Sequence, residues 1–151
     1  MARKTEHVTI VTEGRDNGKV FLLTEMSATQ AESWAMRVFL ALASSGADIP
    51  PEYLNSGMAG VAMLGLRAMA GLKWDDANPL LVEMFGCVSI IPNPAAPNIA
   101  RRLVEDDIEE VLTRISLREK VLSLHVGFSL ADYRSKMQQS ITAPTADPEL
   151  N

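Results

Sequence analysis

Val8-Thr9-Ile10-Val11-Thr12, Glu13-Gly14-Arg15-Asp16-Asn17-Gly18-Lys19 and Val20-Phe21-Leu22-Leu23-Thr24 follow one another without a break. The outer runs are rich in β-branched residues, which suit a pleated, half-buried surface. The stretch between them contains Asn17-Gly18, a strong hairpin signal because both residues tolerate positive φ. The spacing predicts an antiparallel β-hairpin. Two strands alone are marginal in water, so the hairpin must pack on helices or extend a sheet.

The next segment reads as a helix. Ser27 and Gln30 have capping-box spacing, and Ala31, Trp34, Ala35, Val38 and Leu42 repeat at helical period. Gly46 is placed to end that helix, over roughly 28–44, in the left-handed region. After Pro50 and Pro51, a Gly-, Ala- and Met-rich segment up to Leu72 reads as a buried helix. Its most apolar part, Gly57 to Leu72, carries Arg67 and falls short of the roughly 20 residues a bilayer span needs. Asp75 or Asp76 is expected to cap a short helix near 76–86, with Trp74 to Pro79 marking a boundary. Residues 87–91 and 99–104 are candidates for a second, short strand pair around a Pro-rich loop. Glu105, Asp106, Asp107, Glu109 and Glu110 would then fill the first turn of another helix, where carboxylates complement the dipole. A second capping-box pattern at Ser116–Glu119 would let that helix restart. A last helix from Ser129 and a disordered tail over 140–151 complete the reading. The expected fold is α+β, mainly α-helical: an N-terminal hairpin on a small helical bundle, as one domain over 6–139.

The 151 residues are 47% apolar and 22% charged, with a formal charge of −5. That balance excludes wholesale disorder and disfavours general nucleic-acid binding, which depends on phosphate neutralisation by Lys and Arg. One cysteine, Cys87, rules out an internal disulfide framework and a cysteine-based zinc cluster. The N-terminus lacks the apolar stretch of a secretory signal, so a reducing cytosol is the expected compartment.

No motif carries catalysis. His7 and His125 lie far apart, and neither has a second His at helical ligand spacing. Cys87 precedes an apolar run and reads as a buried structural thiol. Gly18-Lys19 is followed by Val20 and not by a hydroxyl, so the loop is no phosphate cradle. No cofactor and no metal are expected. Arg15 and Lys19 at the hairpin tip are candidate partner contacts. The acidic cluster, with Asp106, Asp107, Glu109 and Glu110, has three readings: a divalent-cation site, a docking surface for a basic partner, or a solvated helix start. Arg101 and Arg102 either bind an anion or pair with the acids just after them. The interior methionines suit an adaptable binding surface or ordinary core packing. Met58, Met63, Leu66 and Met69 are the candidate lining of a groove for apolar helices.

Several stretches taken together resemble a family of small tailed-phage and prophage proteins, the tail assembly chaperones. They are Gly14-Arg15-Asp16 with Gly18-Lys19, Thr24-Glu25-Met26, Ala31-Glu32-Ser33-Trp34-Ala35-Met36-Arg37 and Ala41-Leu42-Ala43. Asp106-Asp107-Ile108-Glu109-Glu110-Val111 and Leu117-Arg118 follow. The resemblance covers roughly residues 8–128. It implies a mostly helical, non-enzymatic protein of the host cytoplasm. Such a protein keeps the tape-measure protein soluble and helps recruit major tail protein. The alternative is a structural tail component that assembles with copies of itself as a ring or completion protein. No active-site residues follow from the family.

Overall fold

The computed structural model describes residues 3–49, 51 and 66–126. Four strands, β1 (Thr5–Thr9), β2 (Val20–Thr24), β3 (Val88–Ile91) and β4 (Arg101–Arg102), form one antiparallel sheet in chain order. Three helices complete these residues: α1 (Ala28–Ser44), α2 (Trp74–Phe85) and α3 (Val111–Val126). This is the expected α+β fold with the hairpin on helices. The strand pair around the Pro-rich loop is not separate, because β3 pairs with β2 and extends the hairpin.

Register decides which sheet face is inside. Val8 lies opposite Phe21, and Phe21 opposite Ile90. All three are buried, as is Leu23 beside them. The helices cover this face. α1 buries Trp34, Ala35, Val38, Phe39 and Leu42; α2 adds Leu80 and Met84. α3 closes the core with Leu117, Val121, Leu122 and Leu124. The indole N–H of Trp34 donates to the Leu80 carbonyl at 3.0 Å, so the largest core side chain leaves no polar atom unpaired. On the outer face Ile91 is buried apart from this core. The Pro-rich loop that follows it returns to β1, where His7 Nε2 meets the Pro97 carbonyl at 3.2 Å.

The start and end signals of α1 fall where they are read, although one of them is only half used. Ser27 accepts from the Gln30 amide at 3.2 Å. The Gln30 side chain turns away to Glu83, so only half of the capping box forms. Gly46 takes φ +87°, and the Gly46 and Ala47 amides close on Ala43 and Leu42, a Schellman ending.

Other expectations need correction. Strand β1 runs over Thr5–Thr9 rather than Val8–Thr12, and Asn-Gly does not make a two-residue turn. Gly18 has φ +83°, but no described non-glycine residue has positive φ. Ile10 and Lys19 still pair at 2.9 Å, and Val11–Gly18 forms a wide tip drawn toward α3. Helix α2 starts at Trp74 after an N-cap Lys73 without a side-chain cap, and it runs through Pro79. Pro79 lies past the first turn, so it removes the bond its amide would have made to the Asp75 carbonyl, and the helix continues without it. The acidic cluster does not open a helix. Glu105–Asp107 forms one 3-10 turn, and α3 begins only at Val111, continuing through Ser116 without a restart. Leu66–Gly71 is a 3-10 helix. The rest of the expected helix up to Leu72, the helix from Ser129 and the tail over 140–151 lie outside the described residues.

Candidate functional site

Two clusters of charge flank the N-terminal end of α3. The first joins the hairpin tip to the acidic segment. Asp16 is 1% exposed, and its carboxylate accepts from the Glu109 amide at 3.0 Å and the Glu110 amide at 2.9 Å. It thereby caps α3 from a distant part of the chain, satisfying amides that a helix start leaves free. Lys19 Nζ reaches Asp16 at 2.8 Å, Glu109 at 3.0 Å and the Asp107 carbonyl at 3.0 Å. Arg15 bonds the Glu110 carboxylate at 2.9 Å and the Glu109 carbonyl at 2.7 Å. Burial works against the charged Asp16, but Lys19, the two amides and the Thr113 hydroxyl hold its carboxyl well below the usual range. The Lys19 ammonium is pushed up by its bond to Asp16.

The structure therefore brings Arg15, Lys19, Asp107, Glu109 and Glu110 together, with each other as partners. Asp107 is buried, held below its ordinary pKa by Arg101, and bonded to that guanidinium at 2.7 and 2.8 Å. Its carboxylate also accepts from the Val104 amide at 2.7 Å. Asp106 is exposed and makes no ion pair with a described residue. Asp16, which organises the cluster, was absent from the candidates because an isolated aspartate in a turn gives no sign of a partner so far along the chain.

The second cluster lies where the chain leaves β4. A cleft of about 570 Å³ has Phe85, Val88, Leu103 and Ile108 among its walls, with Arg102 and Arg114 beside them. Arg114 lies 4.2 Å from the Phe85 ring centroid, and Arg118 lies 4.6 Å from it. Burial, and then the nearby Arg114 charge, lower the Arg118 pKa. Arg118 Nε is buried without a hydrogen-bond partner among the described residues. None of Arg102, Arg114 and Arg118 makes an ion pair with a described carboxylate, whereas Lys4, Arg15, Lys19, Arg37 and Arg101 all do. Of the arginine pair, the acid-pairing reading holds for Arg101. Arg101 pairs with a nearby acid, and Arg102 borders the cleft.

The proposed methionine groove is not supported at Met69, which is 6% exposed and belongs to the core. Its thioether fills space among neighbours instead of facing a client. Leu66 opens the 3-10 helix, and its side chain is not described; Met58 and Met63 lie outside the described residues. Exposed apolar side chains occur elsewhere. On α3, Val111, Leu112 and Ile115 are exposed, as is Val104 at the cleft.

The remaining reactive groups are held structurally. Burial, and then Glu83, push the Cys87 thiol up to about 11, away from thiolate chemistry. His125 Nε2 accepts from the Met26 amide at 2.8 Å while Nδ1 bonds the Val121 carbonyl at 2.7 Å. That geometry places the ring proton on Nδ1. Among the described residues no group of three metal-binding side chains converges, and no helix is long and apolar enough to cross a membrane. Compared with known proteins, the chain matches no family model, no curated protein and no solved structure.

Proposed function

We propose that this protein is a non-enzymatic tail assembly chaperone of a tailed phage. It acts in the host cytoplasm, binding the tape-measure protein and keeping it soluble while major tail protein assembles around it. The sequence resemblance motivates this reading. The observation that carries it is the run of exposed Val111, Leu112 and Ile115 on the first turns of α3. Residues so spaced share one side of a helix and form an apolar strip. A long amphipathic client helix can lie against such a strip, as in other helix-capturing surfaces.

Co-expression with the tape-measure protein of the same phage tests the reading. The chaperone raises the soluble fraction of its client and co-purifies with it. Leu112→Asp with Ile115→Asp should abolish both effects while leaving the thermal transition in place, because both side chains are exposed. Full rescue by the folded double variant would remove the strip from the argument. A second reading, a structural tail component, is favoured by β1, whose outer edge pairs with no described strand. Detection in purified particles, together with failure to rescue the client, would select it.

A further inference from the structure

We infer that the cleft beside β4 is a docking site for a short peptide segment that alternates acidic and apolar side chains, with Arg102 and Arg114 receiving its carboxylates. The inference deepens the chaperone reading, and rests on it only in taking the ligand to be part of a protein client.

Three observations support it. First, the charges are uncompensated. In a chain of net charge −5, acids are plentiful, yet Arg102, Arg114 and Arg118 pair with none of those described. Buried charge without a partner is costly. Arg118 Nε illustrates this, being buried with no acceptor among the described residues. Arg118 stands behind the cleft on the same Phe85 ring as Arg114, adding positive potential without being one of the walls. Second, the guanidinium groups surround an apolar floor. Phe85, Leu103 and Ile108 are partly buried and pack against the core, and Val88 belongs to it. A small inorganic anion would use the guanidinium groups and leave that floor wet. Third, Val104 borders the cleft yet is 62% exposed, which extends its apolar surface outward beyond the volume of a single ion.

Charge complementarity selects the occupant. A guanidinium binds a carboxylate in a planar, two-bonded fork, and the apolar floor takes the intervening side chain. A polyanion such as nucleic acid would be repelled by the chain's net charge of −5 and by Glu105 at the cleft itself. Glu105 likewise repels carboxylates, so the acidic side chains of the occupant are confined to the arginine side. The result is a short, acidic and apolar footprint.

The probe is a capped synthetic peptide alternating leucine and glutamate, titrated into the full-length protein and followed by amide NMR shifts. Its controls are the same peptide with glutamine for glutamate, and inorganic phosphate. The expected result is saturable binding of the glutamate peptide, with shifts at Ser89, Arg102–Glu105 and Arg114. The glutamine peptide should bind roughly tenfold more weakly or not at all, the loss of at least one charge-assisted bond. Arg102→Gln should weaken the glutamate peptide by about tenfold; its side chain is exposed and does not stack on Phe85, so the fold is retained. Arg114→Gln should do the same, and comparison with Arg102→Gln separates lost binding from lost contact with Phe85. Equal binding of the two peptides, no binding of either, or binding unchanged in Arg102→Gln would overturn the inference. Phosphate saturating the same shifts as tightly as the peptide would overturn it in favour of a simple anion site. No tape-measure protein enters this experiment, so it can fail while client rescue succeeds, and the reverse.

Discussion

Arg15 and Lys19 at the hairpin tip each have a carboxylate within 3.0 Å, whereas Arg102 and Arg114 across the start of α3 have none within ion-pair distance among the described residues. Both sets of cations lie close to the same acidic segment. The difference comes from backbone. At the tip, Asp16 first satisfies two amides of the helix start, and this fixes Glu109 and Glu110 where Lys19 and Arg15 reach them. Beyond β4, Asp107 turns to Arg101 and to the Val104 amide, and no other described acid reaches Arg102. Charges that complete the fold are paired and positioned. Arg102 and Arg114, which complete no such contact, have no carboxylate partner among the described residues.

The largest expected effect is at Asp16. Asp16→Asn removes the charge that faces Lys19 and weakens both amide bonds, and it should cost about 2–3 kcal/mol in chemical denaturation. The same group gives a pH signature. Its folded pKa lies below the ordinary 3.8, so its stabilisation is complete above that value. The stabilisation is lost as pH falls toward the folded pKa, since protonation then favours the unfolded chain. Wild-type stability should therefore fall on acidification below about pH 4 more steeply than that of Asp16→Asn. Parallel acid limbs in the two proteins would break the contrast.

A smaller effect is expected at Gly18. Its φ of +83° is one that a side chain disfavours, although the space around it is open. Gly18→Ala should cost about 1 kcal/mol by loosening the tip, measured by thermal unfolding. The smallest effect belongs to the cleft. Arg118→Met removes an unpartnered buried Nε and gives up one contact with Phe85, so stability should stay within about 0.5 kcal/mol of wild type. A large loss there would show that Arg118 serves the fold as Asp16 does.

The sequence makes α1 readable because its determinants are local: Ser27 at the start, Gly46 at the end, and apolar spacing between them. The hairpin is readable for the same reason, as is the pairing of β3 with the chain near Arg101. What was misread depends on distant partners. The acids before α3 have the composition of a helix first turn, but Lys19, Arg15 and Arg101 draw them outward while Asp16 supplies the cap. The apolar period alone could not separate Met69 as core from Met69 as groove. Nor could spacing divide Arg101 from Arg102, since adjacent residues in a strand face opposite ways.

The reach of the Asp16 cap also constrains the order in which this protein takes shape during synthesis. Asp16 and Glu110 are separated by 94 positions, and β2 must wait for β3, most of the way along that same interval. A ribosome releases the N-terminal hairpin long before it makes either partner. Until then Asp16 has Lys19 beside it but not the Glu109 and Glu110 amides, and the Phe21 and Leu23 face is uncovered. Contacts so distant in sequence form slowly, because the intervening loop must close first. The nascent chain therefore passes through a stage in which it exposes an apolar surface that the finished fold covers.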